Sequence, residues 1–158
     1  MSLLRLIARL DIKGRNVVKG VQMEGLRVVG QPAEMARAYA QVGVELLYID
    51  TVASLYGRNQ LYQLLEETAS DVFVPITVAG GIRSLEDVKR LLRCGADSVA
   101  INTAAIARPD LVNEVSGVCG AQALTVSIEA KRVNGGWEAY TDNGRNRTGK
   151  DAIKWAEE

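Results

Sequence analysis

The 158 residues are 47% hydrophobic and 24% charged, a composition typical of one globular domain with a packed core. Nineteen Lys and Arg residues balance nineteen Asp and Glu residues, so no net charge favours nucleic acid or an anionic membrane. Histidine is absent, which excludes Ser-His, Cys-His and His-metal mechanisms. Any chemistry therefore falls to carboxylates, Lys, Arg and backbone amides.

Two cysteines, Cys94 and Cys119, each precede a glycine near the end of a predicted helix. Their spacing fits neither a zinc site nor a redox pair, and we expect two reduced packing thiols rather than a disulfide. No segment approaches the ~20 apolar residues of a membrane span, and the N-terminus lacks the features of a signal peptide. The sequence therefore predicts a cytoplasmic protein without metal, cofactor, membrane or nucleic-acid partner.

Strand patterns alternate with helical patterns along the chain. The predicted strands cover residues 5–11, 45–50, 74–79, 97–102 and 124–129. Pro32 opens the first helix, where its missing N–H costs nothing, and Gly43 follows that helix as a C-cap. The second helix covers residues 59–70.

The third helix starts at a capping-box-like pair, Ser84 and Asp87, and ends at Cys94. The two remaining helices begin near Pro109 and within residues 148–151. Because the strands alternate with helices, we expect βαβ units around a parallel sheet.

One face of the predicted strands is polar. In the last strand Thr125, Ser127 and Glu129 share a face, whereas a sheet covered by helices on both sides is nearly continuously apolar. We therefore expect a partial (β/α)8 TIM barrel, about the first five strands and four to five helices, over a doubly wound open sheet. A whole barrel needs ~250 residues, so residues 1–158 are interpreted as the N-terminal part of a truncated barrel domain.

Acids follow two of the apolar strands. The segments LDIK (residues 10–13) and IEAK (residues 128–131) each place an acid, then any residue, then Lys, in the first and fifth units. Strands one and five of an eightfold barrel lie across the lumen, so Asp11 and Glu129 are expected to face one substrate as acid and base. A single acid in such a place more often starts a loop or caps a helix.

A glycine turn leads from the third strand into a helix. Gly80 and Gly81 allow backbone N–H groups to approach a phosphate at the helix N-terminus, and Asn102 and Thr103 after the fourth strand offer further donors. Turn geometry alone is the alternative explanation for the two glycines.

Six segments together resemble the cyclase subunit family of imidazole glycerol phosphate synthase. They are LDIKGRNVVKGV, ELLYIDTVASLYGR, PITVAGGIRSLEDVKRLL, GADSVAINTAA, SIEAKRVNGGWEAYT and TGKDAIKWA. The resemblance implies a lyase of histidine biosynthesis. In that family, ammonia from a partner glutaminase passes through the barrel and attacks a bis-phosphorylated ribulosyl aminoimidazole carboxamide, with ring closure and C–N cleavage.

The resemblance also implies roles for individual residues. Asp11 and Glu129 match the acid–base pair. Lys19 matches a lysine on a mobile loop that closes over substrate, and Arg5 and Glu45 match members of a charged gate for ammonia. The phosphate-binding positions are Gly81, Asn102 and Thr103, with Gly80 serving the turn.

This sequence departs from the family pattern at several positions. Glu129 replaces an aspartate, Arg9 a cysteine and Ser98 a lysine. We expect Arg9 to pair with an acid such as Glu129 or Asp50, or to bind an anion. The departures leave open a paralogous amidotransferase-linked barrel that acts on another sugar or nucleotide-sugar, and the sibling ribotide isomerase is a further alternative.

The chain alone is expected to be inactive and could instead be a non-catalytic half-barrel assembly unit. An open set of parallel strands exposes two sheet edges and an apolar face. We therefore predict a homodimer or a larger homo-oligomer.

Overall fold

The computed structural model describes residues 4–20, 26–50, 59–133 and 135–158. The chain divides into two compact units, with the boundary between Val99 and Ala100. Each unit combines strands with helices, but the predicted alternation of strand and helix holds only in the first, because four strands follow one another in the second. Among the described residues, no helix is both long and apolar enough to cross a membrane.

The first unit is built around a sheet whose central strands are parallel. Its strands are β1 (Ile7–Lys13), β2 (Asn16–Gly20), β3 (Leu26–Gly30), β4 (Glu45–Asp50), β5 (Ile76–Ala79) and the first half of β6 (Ser98–Ile101). β4 pairs in parallel with both β1 and β5, and β6 lies next to β5. β2 and β3 extend the other side of β1 as antiparallel strands, which the sequence analysis did not predict.

Three helices complete the first unit: α1 (Pro32–Gln41), α2 (Asn59–Ala69) and α3 (Leu85–Arg93). All three lie within two residues of their predicted positions. The predicted capping box at α3 is confirmed, since Ser84 Oγ accepts from Asp87 N at 3.2 Å and Asp87 Oδ2 accepts from Ser84 N at 3.1 Å. Two donors at the start of the helix are thereby satisfied.

The two faces of the first sheet differ in polarity. Leu10 and Ile12 of β1 are 1% exposed, and their neighbours Leu46 and Tyr48 of β4 are fully buried. The alternate positions of β1 carry polar groups such as Arg9, as expected from the two-residue period of a strand. The predicted polar face is therefore confirmed for this strand.

The second unit contains three helices and a separate small sheet. The helices are α4 (Thr103–Ala107), α5 (Asp110–Cys119) and α6 (Ala152–Glu157), and a short 3-10 turn covers Ala121–Ala123. The strands are β7 (Leu124–Val126), β8 (Glu129–Val133), β9 (Gly136–Thr141) and β10 (Asn146–Asp151). β8, β9 and β10 form an antiparallel sheet with β9 in the centre, and α6 packs against it.

Two predicted boundaries in the second unit are wrong. The strand expected over residues 124–129 ends at Val126, and Glu129 begins the antiparallel strand β8 instead. The helix expected from residues 148–151 begins at Ala152, because the preceding residues complete β10. Asp151 caps this helix, since its Oδ1 accepts from Ile153 N and Lys154 N, each at 3.0 Å.

Both cysteines are free thiols, as predicted. Cys94 is buried and its Sγ lies 3.3 Å from Glu66 Oε1, whereas Cys119 is half-buried. Burial, followed by the bond to Glu66, raises the pKa of the Cys94 thiol. A thiol held in its neutral form is a weak nucleophile, which fits a packing role.

Candidate functional site

Asp11 lies on the polar face of β1. Arg9, two residues earlier on the same face, donates from Nε to Asp11 Oδ1 at 2.8 Å. The side chain of Asp11 is 33% exposed and that of Arg9 is 61% exposed. We expected Arg9 to pair with an acid such as Glu129 or Asp50, or to bind an anion. An acid partner is present, but it is Asp11 on the same strand, and the side chain of Asp50 lies outside the described residues.

Arg5 and Glu45, the two predicted gate residues, form a two-point ion pair. Arg5 Nε and Nη2 donate to Glu45 Oε1 and Oε2 at 2.9 and 2.6 Å. Glu45 lies directly opposite Ile7 in the β1–β4 register, so the pair sits where these strands begin. The hydrogen bond with Arg5 lowers the pKa of Glu45, which keeps the pair charged.

Further along the sheet, on β5 and β6, the same polar face carries neutral hydroxyl groups instead of charged groups. Thr77 of β5 and Ser98 of β6 share a hydrogen bond of 2.8 Å between their hydroxyl groups, and both residues are half-buried. Ser98, which stands where the resembling family has a lysine, thus satisfies its hydroxyl without a charged partner.

The turn after β5 is left-handed at both of its glycines. Gly80 and Gly81 have φ values of +96° and +60°, a region of backbone conformation that favours glycine. Arg83 N and Ser84 N, which immediately precede α3, both donate to Asp87 Oδ2, so these two amides are occupied by the cap of the helix. Among the described residues, the Gly81 amide has no hydrogen-bond acceptor.

Asn102 and Thr103 lie where β6 ends and α4 begins, and both contact the end of β9. Asn102 Nδ2 donates to Tyr140 O at 3.3 Å, and Thr103 Oγ1 accepts from Asp142 N at the same distance. Asn102 Oδ1 is buried and has no hydrogen-bond partner among the described residues. The contribution of residues 140–142 was not predicted, because it depends on the unrecognised antiparallel sheet.

Glu129 is half-buried at the first position of β8. Its Oε2 accepts from Gly144 N at 2.7 Å, and it lies directly opposite Tyr140 of β9. Lys131, on the same face of β8, donates from Nζ to Gly144 O. The candidate acid is therefore fixed by the turn between β9 and β10, which the sequence analysis did not consider.

Lys19 lies in β2, exposed and directly opposite Arg27 of β3. The resemblance implied that this lysine belongs to a mobile loop, whereas the structure places it on an antiparallel strand. Two cations side by side on an exposed ribbon create a locally positive surface.

The predicted site residues fall in both units. Those in the first unit are Arg5, Asp11, Lys19, Glu45, Gly80 and Gly81, and those in the second are Asn102, Thr103 and Glu129. Within the described ranges, no cluster of three or more Cys, Asp or Glu side chains is arranged to hold a metal ion.

The elements and residues define an α/β protein with parallel strands, in which a glycine turn and an acid-bearing strand form the candidate site. More particularly, the chain belongs to the histidine biosynthesis protein family, which it matches over residues 5–158. The resemblance inferred from the sequence segments is thereby confirmed.

Two curated relatives match almost the whole chain. The chain is 61% identical over 158 residues to the imidazole glycerol phosphate synthase subunit HisF of Legionella pneumophila, covering 99% of this chain and 74% of that protein. It is 48% identical over 155 residues to the subunit of the same name from Myxococcus xanthus strain DK1622, covering 98% of this chain and 61% of that protein.

Proposed function

We propose that the chain is a cyclase-like subunit of imidazole glycerol phosphate synthase in histidine biosynthesis. The observation that carries the proposal is the 61% identity to the Legionella subunit across 99% of this chain. The proposed reaction is ammonia-dependent ring closure and C–N cleavage of a bis-phosphorylated ribulosyl aminoimidazole carboxamide. The enzyme is accordingly a lyase that takes its ammonia from a glutaminase subunit.

Asp11 and Glu129 are the proposed acid and base of this reaction. Each carboxyl accepts a hydrogen bond from a fixed donor, Arg9 Nε for Asp11 and Gly144 N for Glu129. Such bonds support the assignment because a group that transfers a proton must be held in a defined direction. The longer side chain of Glu129 makes this restraint more important than it would be for aspartate.

The proposed phosphate-binding residues are Gly80 and Gly81 in the first unit and Asn102 and Thr103 in the second. The left-handed backbone at the two glycines lets their amides approach an anion closely, and the Thr103 hydroxyl, which accepts from Asp142 N, keeps its own proton to donate to a phosphate oxygen. Lys19 supplies a further cation for the substrate in this proposal.

The Arg5–Glu45 pair is the proposed gate for ammonia from the glutaminase partner. The two-point geometry holds both side chains at the beginning of β1 and β4. Two charge-assisted hydrogen bonds are stronger than neutral ones, so the pair keeps its geometry until both bonds are exchanged for water.

We further propose that residues 1–158 are the N-terminal part of a TIM-barrel domain in a cytoplasmic protein and that the chain self-associates. In the described part of the first unit, β3 is the outermost strand of the sheet. Its side chains Leu26, Val28 and Val29 are 49%, 55% and 48% exposed. An apolar outer strand favours pairing with a second copy, because its edge presents unpaired N–H and C=O groups.

An ammonium-dependent assay tests the function. The chain, complemented with a C-terminal half-barrel, is given ammonium and the bis-phosphorylated ribulosyl substrate, and formation of imidazole glycerol phosphate is measured. We expect Asp11→Asn and Glu129→Gln each to reduce kcat by about a hundredfold or more. Asp110→Asn, which changes an exposed acid at the start of α5, is the control and keeps full activity.

The second candidate is a paralogous barrel for another phosphorylated sugar or nucleotide-sugar. The exposed guanidinium of Arg9 on the polar face favours it, because this cation offers donors to an additional anionic group of a substrate. Binding of inorganic phosphate without any turnover of the histidine intermediate would support this candidate over the first.

A further inference from the structure

Two side chains of β8 hold opposite ends of a single residue. Glu129 and Lys131 are two positions apart and therefore project from the same face of the strand. Glu129 Oε2 accepts from Gly144 N at 2.7 Å, and Lys131 Nζ donates to Gly144 O. The N–H of Gly144 is thus aimed at the candidate acid while its carbonyl is aimed at the lysine.

The backbone around Gly144 is shaped for this contact. Asp142, Asn143 and Gly144 have successive φ values of +53°, +58° and +72°, all in the left-handed region. A Cβ at Gly144 would lie 3.2 Å from Lys131 Cε and 3.5 Å from its Nζ. A side chain at this position would displace the end of the lysine by a few tenths of an ångström and would strain the left-handed backbone, so glycine favours both the turn and the contact with Lys131.

Lys131 is itself held at a second point. Its Nζ lies 4.6 Å from the centroid of the Tyr140 ring, a cation–π contact. Tyr140 is 8% exposed and stands directly opposite Glu129 in the β8–β9 register. The lysine head is therefore located by a buried ring and by the carbonyl of Gly144.

We propose that Lys131 and Gly144 are positioning residues that fix the direction of the Glu129 carboxylate. The proposal rests on Glu129 being the acid or base of the proposed function. The proposal explains the acid-x-Lys spacing of residues 129–131. It also explains what restrains the longer side chain of a glutamate at this position. The similar segment in β1 is organised differently, because the partner of Asp11 is Arg9.

Amide hydrogen exchange of the isotopically labelled 158-residue chain tests the contacts of Glu129 and Lys131 with Gly144, and it does not require a catalytic assay. We expect the Gly144 amide to exchange at least about tenfold faster in Glu129→Ala and in Lys131→Met than in the wild type. The matched control is Lys150→Met, because Lys150 Nζ lies 4.7 Å from the Trp155 ring in an equivalent cation–π contact. Exchange at Gly144 that is unchanged in Lys131→Met, or equally accelerated in Lys150→Met, overturns the proposal.

Kinetics of the complemented enzyme test the consequence for the reaction. Lys131→Met and Gly144→Ala should each lower kcat by about ten- to a hundredfold and leave KM within about twofold. Lys131→Arg should recover part of the loss, because it restores a cationic donor. Gly149→Ala is the control for backbone strain, since Gly149 has φ +71° in open space and donates to Glu138 rather than to Glu129.

A double-mutant cycle separates positioning from general destabilisation. In a Glu129→Gln background, Lys131→Met should lower kcat by no more than about twofold, because the group that it positions is already inactive. A full additional loss in this background refutes the positioning role. If the wild type does not turn over the substrate, the proposed function fails. The exchange experiment still decides whether Glu129 and Lys131 hold Gly144 in solution.

Discussion

Gly95→Ala is expected to destabilise the first unit more than a matched glycine substitution elsewhere. Gly95 follows the C-cap of α3 with φ +108°, and a Cβ there would lie only 2.4 Å from the Cβ of Ala69 at the end of α2. Gly43 follows the C-cap of α1 with φ +74°, and a Cβ there meets nothing within 4 Å. Both amides donate to the preceding helix, Gly43 N to Ala40 O and Gly95 N to Leu92 O.

Gly95→Ala and Gly43→Ala differ mainly in the steric clash with Ala69, which only the first of them creates. A left-handed backbone costs a non-glycine residue about 1–2 kcal/mol, which applies to both positions. Overpacking adds about 1–3 kcal/mol at Gly95 alone, because the backbone of α2 or α3 must shift to separate the two methyl groups. We therefore expect Gly95→Ala to lower the free energy of unfolding by about 2–5 kcal/mol and Gly43→Ala by about 1–2 kcal/mol.

Urea unfolding followed by far-ultraviolet circular dichroism measures the difference. Both tryptophans, Trp137 and Trp155, lie in the second unit, so their fluorescence reports whether that unit is also affected. Adding Ala69→Gly to Gly95→Ala should recover part of the loss by removing the opposing methyl group. Equal losses for Gly43→Ala and Gly95→Ala would refute the close approach of these helices.

Three further outcomes follow from buried, ionised and exposed groups. In urea unfolding, Thr68→Val should lower the free energy of unfolding by about 1–3 kcal/mol, because the buried Tyr48 hydroxyl loses its acceptor. Tyr48→Phe should lower it by only about 1 kcal/mol, because the Thr68 hydroxyl still donates to Leu64 O. The hydrogen bond from Arg147 lowers the pKa of Glu138, so this pair stabilises above the unfolded pKa and the effect is lost as pH falls through the folded pKa. Arg147→Met should therefore be less stable than the wild type at pH 7 and equally stable once Glu138 is protonated, as measured by unfolding at a series of pH values. Val28→Lys should shift the chain towards monomer in dilute size-exclusion chromatography with light scattering, and an unchanged mass would argue against pairing through β3.

Local signals in the sequence were sufficient where one segment determines its own structure. The capping box at Ser84, the proline that opens α1 at Pro32 and the alternation of apolar strands with helices all predicted elements that the structure contains. These features depend on nearest neighbours along the chain, so they survive without knowledge of the tertiary fold.

The antiparallel sheet of the second unit was missed although a signal was present. Asn143 and Gly144 form the kind of dipeptide that marks a hairpin turn, and the residues on both sides became β9 and β10. The helical pattern after residue 148 was given more weight than this turn. As a result, the contacts of Glu129 with Gly144 and of Thr103 with Asp142 could not be anticipated.

Side-chain partners were harder to predict than elements. Arg9 was matched with acids expected from other strands, whereas Asp11, two positions away on the same face, lies within its reach. The opposition of Asp11 and Glu129 across a barrel remains a prediction from the sequence. Arg5 and Glu45 were named together only through the family resemblance, and their ion pair is a finding of the structure, which places them where the adjacent parallel strands β1 and β4 begin.

The capping box of α3 also affects how an anion can be exchanged at the glycine turn. Asp87 Oδ2 accepts from the amides of Arg83 and Ser84, and Asp87 N donates to Ser84 Oγ, so this end of α3 is held by contacts within the chain. At the proposed phosphate site, an anion would therefore meet the turn beside a helix end that is already ordered. A binding surface formed in advance lowers the ordering cost of binding.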